Sequence, residues 1–119
     1  MILCEDYVSF ETAKLLKEKG FDELTYASFS SDGKETYYGY RAMGDDISRP
    51  TLQMIMKWLR EVHKLYCDIR VGDGDFVVDI ISLKDGEFGC EVVEPESCVY
   101  LTYEQACEAA IKYCLENLI

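Results

Sequence analysis

The chain has few of the residues that build active sites and none of the runs that build membrane spans. Its one histidine is His63, which leaves no second imidazole for a histidine-pair mechanism or a Cys-His-His zinc site. No stretch approaches about 18 consecutive apolar residues, so a transmembrane helix is not expected. Cations are scarce: 12 Lys+Arg stand against 23 Asp+Glu, a net charge of −11. Phosphate contacts and anionic membrane surfaces both require clustered cations, so neither direct nucleic-acid binding nor membrane binding is expected. The opening MILCEDYVSF carries Glu5 and Asp6 where a secretory signal needs basic and then apolar residues, so the expected compartment is the cytoplasm.

Six cysteines are present, Cys4, Cys67, Cys90, Cys98, Cys107 and Cys114, yet no two form a C-x-x-C pair. In a cytoplasmic chain this points to free buried thiols rather than disulfides or a zinc site. Cys107 and Cys114 are seven apart and share a face if their segment is helical. The acids at Asp73, Asp75 and Asp79 fail as a calcium loop, because Val78 and Lys84 fall where glycine and glutamate are needed. Gly72-x-Gly74 precedes no helix and is not a phosphate loop. Asp45 and Asp46 are read as partners of a following helix N-terminus. No catalytic residue, metal site or cofactor is therefore expected, and the chain is read as not an enzyme.

What is present is an α+β pattern in one domain, residues 1–119, at the usual length for a single core. Ser9 followed by FETAKLLKEKGF predicts a capped helix ending at Gly20, with Phe10, Ala13 and Leu16 as its stripe. Residues 24–42 read as a hairpin turning at Asp32-Gly33 in a type I′ turn. Residues 44–50 read as a loop, with Pro50 opening a helix to Lys64 whose buried face is Leu52, Ile55, Met56, Leu59 and Val62. Three strands are expected at about 66–71, 75–82 and 87–94. Cys98–Leu101 is an edge strand or the lead into the last helix. Thr102-Tyr103-Glu104-Gln105 is a capping box, and the helix after it carries Ala106, Ala110, Tyr113 and Leu118 as its stripe. The order is α-ββ-α-βββ-α, with antiparallel sheet packed by helices on one face.

Two surface features suggest function. Tyr26, Tyr37, Tyr38 and Tyr40 crowd the first hairpin, and Trp58 adds a further large ring, making these five the candidate interaction surface. The acidity is regional: residues 67–96 hold nine acids and two bases, whereas residues 49–66 hold four bases and one acid.

Three blocks carry a resemblance. Phe10-Glu11-Thr12-Ala13-Lys14-Leu15-Leu16-Lys17-Glu18-Lys19-Gly20-Phe21 resembles the opening of small proteins from gut bacteria, their prophages and their phages. Asp45-Asp46-Ile47-Ser48-Arg49-Pro50-Thr51-Leu52 with Lys57-Trp58-Leu59-Arg60-Glu61 is similar to their central block. Thr102-Tyr103-Glu104-Gln105-Ala106 with Ala109-Ala110-Ile111 is similar to their closing helix. The resemblance spans nearly the whole chain. It implies a phage- or mobile-element-related locus and carries over no catalytic residue. The expected function is a non-enzymatic protein–protein binding module with another protein as partner, self-association into a homodimer being one form. The alternative is an acidic nucleic-acid mimic that inhibits a DNA-binding or restriction protein; a small enzyme ranks third.

Overall fold

A computed structural model describes residues 3, 5–23, 25, 27–36, 46–84, 92–93 and 99–119. The chain is α+β with antiparallel sheets and forms two compact units, Met1–Leu52 and Gln53–Ile119. No described helix is long and apolar enough to cross a membrane.

In the first unit, α1 spans Phe10–Glu18. Ser9 caps it by accepting the Thr12 N–H at 3.2 Å. At the other end the Phe21 N–H reaches the Leu16 carbonyl and the Gly20 N–H reaches that of Lys17. Gly20 supplies the φ of +89° that this Schellman closure needs. Thr12, Ala13 and Leu16 are buried. The sheet has the order β2-β1-β3, built from β1 (Ala27–Phe29), β2 (Glu35–Thr36) and β3 (Ile47–Arg49). The central strand is buried at all three positions, and α1 packs on β3.

Three expectations change here. The hairpin turn is not type I′, because only Gly33, at φ +87°, enters the left-handed region. Ser31, Asp32 and Gly33 form a longer loop between Ser30 and Lys34, with the Gly33 N–H bonded to the Ser30 carbonyl. Asp32 instead turns its carboxylate to the Ser30 hydroxyl and the Lys34 N–H. These two bonds hold its pKa below the ordinary value. Second, residues 47–49 are a strand, paired through Ala27↔Arg49, Ser28↔Ser48 and Phe29↔Ile47. Third, Pro50 precedes the helix: its carbonyl accepts the Val8 N–H, and the Leu52 N–H bonds Asp6. The N-terminal segment thus claims the backbone that a helix beginning at Pro50 would have used.

Helix α2 spans Leu52–Val62, its first residue being the last of the first unit and the rest belonging to the second, and it buries Leu52, Ile55, Met56 and Leu59. Val62, expected on that face, is exposed at the helix end. Lys64 at φ +56° turns the chain directly into β4. Strands β4 (Leu65–Val71) and β5 (Phe76–Ser82) pair along their full lengths, from Leu65↔Ser82 to Val71↔Phe76. Gly74 takes φ +78° in the tight link between them. Strands β6 (Val92–Val93) and β7 (Val99–Tyr100) both pair with β5 on its other side. Helix α3, Tyr103–Asn117, begins with the expected capping box between Thr102 and Gln105. It packs on β4, β5 and β7. Its buried stripe is Ala106, Cys107, Ala110, Ile111, Cys114 and Leu115, and Tyr113 and Leu118 lie only half-buried. The thiols behave as small apolar groups and rotate the stripe away from the larger tyrosine.

Candidate functional site

The register of β4 and β5 sorts their side chains onto two faces. Leu65, Cys67, Ile69, Val71, Phe76, Val78 and Ile80 share one face. Tyr66, Asp68, Arg70, Val77, Asp79 and Ile81 share the other. The first face lies under α3, where Cys67 and Cys114 bring their Sγ atoms to 3.9 Å. Cys67, Cys107 and Cys114 are all free and buried. Burial pushes the Cys107 thiol up to about 11, and the neighbouring Cys67 thiol together with burial raises Cys114 further. A protonated thiol in an apolar core is neither nucleophile nor metal ligand. Among the described residues no three His, Cys, Asp or Glu side chains converge to hold a metal.

The row Val71–Phe76–Tyr100 crosses three strands at one end of this sheet. Phe76 meets Tyr103 edge-on with ring centroids 6.1 Å apart. Tyr103 of this pair is itself partly exposed, as are Val71 and Leu101 at the same end of the sheet, whereas Val99, opposite Val77, lies on the other face. Val71 is 81% exposed, Leu101 78%, Val99 53% and Tyr103 38%. Leu101 holds the position before the Thr102 cap, where a hydrophobic staple would tuck it against Ala106; it stays outside. The Tyr103 hydroxyl accepts a hydrogen bond from Gln53 Nε2 at 3.2 Å, and burial raises its pKa. Asp73 and Asp75 lie in the adjoining turn and Glu104 in the first turn of α3. The nearest cation in these strands is Arg70, which bonds Asp79 at 2.6 Å and reaches Asp68 at 3.9 Å. The patch is apolar at its centre and acidic at its border.

No family model, curated protein or solved structure matches this chain.

Of the five residues singled out from the sequence, Tyr26, Tyr37, Tyr38 and Tyr40 lie outside the described residues. Trp58 lies on the buried face of α2, only 9% exposed, and offers almost no surface to a partner. Its ring meets His63 edge-on at 4.6 Å. The end patch went unseen because each member is an ordinary apolar residue beside a turn or a cap. Its one sequence signal is the bare Leu101 ahead of a capping box.

His63 carries a testable pH effect. Its Nε2 is buried without a hydrogen-bond partner. Burial, then the Lys84 charge, lowers its pKa below the ordinary imidazole value. The folded state therefore resists protonation more than the unfolded chain does. The resulting stability is intact above about pH 6.5 and is lost as pH falls through the lower folded value. As the single histidine, it gives one imidazole NMR signal, whose midpoint is expected below that of a free peptide. The fall in urea midpoint from pH 7 to 5 should be shallower in His63→Gln; equal slopes would show that His63 contributes nothing.

Proposed function

We propose that the chain is a non-enzymatic protein–protein binding module of the cytoplasm, from a phage- or mobile-element-related locus. Its docking surface is the end patch of Val71, Leu101 and Tyr103. The partner is a protein that presents an apolar anchor flanked by lysine or arginine. The observation that carries this reading is the near-complete exposure of Val71 and Leu101 beside Phe76 and Tyr103. Clustered exposed apolar groups with a polar border are the usual anatomy of a contact surface. Asp73, Asp75 and Glu104 at the border favour a cationic partner, and they steer association more than they hold the complex. The mimic reading has less support. Asp68 and Asp79, two of the acids it would use, are tied to Arg70.

The test places a photo-crosslinking amino acid at Leu101 in the cell that carries the protein, with the same group at Lys14 on α1 as control. A discrete protein adduct is expected at Leu101 alone, reduced at least tenfold by Val71→Asp. The purified adduct partner should bind more weakly as salt rises. Equal adducts at both positions, or an adduct indifferent to Val71→Asp, would overturn the proposal.

A further inference from the structure

Strand β4 is one edge of its sheet, and among the described residues it pairs only with β5. Its backbone directions follow from two hydrogen bonds at its ends. The Leu83 N–H donates to the Lys64 carbonyl, and the Gly72 N–H donates to that of Asp75. Antiparallel ladders alternate bonded and non-bonded pairs. Tyr66, Asp68 and Arg70, in step with Lys64 and Gly72, therefore bond inward to β5. Leu65, Cys67, Ile69 and Val71 point their N–H and C=O groups out from the free edge. Seven residues of open edge without proline form a template for another strand.

The charges on this strand choose what completes it. We propose that β4 pairs with β4 of a second copy of this chain, antiparallel about a two-fold axis through Ile69. Ile69 then lies opposite Ile69 of the second copy, and Cys67 opposite Val71 of the second copy. All of these are outward-bonding residues, so the pairing is compatible with the ladder already present. Asp68 falls opposite Arg70 of the second copy, twice by symmetry, in non-bonded pairs where side chains lie closest. A two-fold axis through Asp68 would set two carboxylates face to face, and one through Arg70 two guanidiniums. The Ile69 register is the one that matches opposite charges. Within one chain Asp68 lies directly opposite Asp79, with one arginine between two carboxylates. The second copy supplies each Asp68 with another guanidinium. The interface is self-complementary and closed, joining the two sheets into one. This inference goes beyond the end patch; the two share Val71, so its tests use Asp68 and Arg70, which lie outside that patch.

Sedimentation equilibrium of the full chain should show a monomer–dimer equilibrium. Asp68→Lys places a cation opposite Arg70 of the second copy while facing Asp79 favourably within its own chain. It should therefore fold normally and weaken dimerisation at least tenfold. Adding Arg70→Asp to Asp68→Lys restores opposite charges across the axis and should recover most of the affinity. Amide exchange gives a second readout. The Cys67, Ile69 and Val71 amides should be protected at high protein concentration and exposed on dilution, whereas Tyr66, Asp68 and Arg70 should be protected at both. A strictly monomeric chain at millimolar concentration would overturn the proposal. So would a dimer indifferent to Asp68→Lys, or one in which the double reversal brings no recovery.

Discussion

Replacing Ile80 with alanine is expected to cost about 2–4 kcal/mol, the range for removing a fully buried branched side chain without full collapse of the cavity. Ile80 is 0% exposed at the middle of β5, opposite Cys67 on β4 and Val93 on β6. Neighbours on both sides hold its backbone, and α3 covers its face. Relaxation can therefore fill little of the space. Against a typical stability of about 5–15 kcal/mol this is a large fraction. At this chain length it corresponds to a fall in Tm of roughly 8–15 °C. Ile80→Val should cost only about 1 kcal/mol. Ile81, its neighbour on the other face, is only half-buried. Ile81→Ala should therefore cost clearly less than Ile80→Ala. Urea denaturation of the three variants checks the order. Equal losses at positions 80 and 81 would mean that the two faces of the sheet are equally buried. An unchanged m-value would show that the loss lies in packing and not in a more compact unfolded state.

Elements governed by local chemistry were legible in the sequence. Ser9, Gly20 and the Thr102–Gln105 box act where their caps place them, because a cap is satisfied by residues three or four positions away. The alternation in 66–82 likewise reports a strand pair on its own. What could not be read depends on remote partners. Ile47-Ser48-Arg49 is too short to show alternation, and it becomes a strand only because β1 offers its free side. The α3 stripe was misplaced because a tyrosine looks like a better core residue than a thiol until the sheet beneath it is known. The candidate surface shows the same limit. Trp58 is conspicuous in the sequence and lies buried, whereas Val71 and Leu101 are plain in the sequence and lie exposed. In the sequence Asp68 and Asp79 are only two of the nine acids of residues 67–96; the register sets them face to face with Arg70 between them.

Arg49→Ala is expected to destabilise the first unit by about 2–3 kcal/mol, more than an isolated surface ion pair can provide. The Arg49 side chain is 11% exposed, with Cζ 4.3 Å from the Tyr7 ring centroid and 5.2 Å from that of Phe29. Its guanidinium also reaches Glu35 at 3.4 Å, but that carboxylate is half in solvent. The ion pair alone is worth at most about 1 kcal/mol and is screened by salt. The larger share comes from the guanidinium between two rings, desolvated on β3 where that strand pairs with β1. Glu35→Gln should therefore cost less than about 1 kcal/mol, with the remainder of the Arg49→Ala loss persisting in 1 M NaCl. Arg49→Lys keeps the charge but gives up the planar group that lies over the rings, so its loss should fall between the other two. Should Glu35→Gln match Arg49→Ala, or salt erase the Arg49→Ala loss, the ion pair and not the aromatic contacts would be the source. Arg49 stands in the block Asp45–Leu52, beside the Pro50 carbonyl that accepts from Val8 and the Leu52 N–H that donates to Asp6. Those three residues are each occupied in joining β3 to the N-terminal segment. That block is thus accounted for by folding, and a contact surface is to be sought at the end and edge of the second sheet.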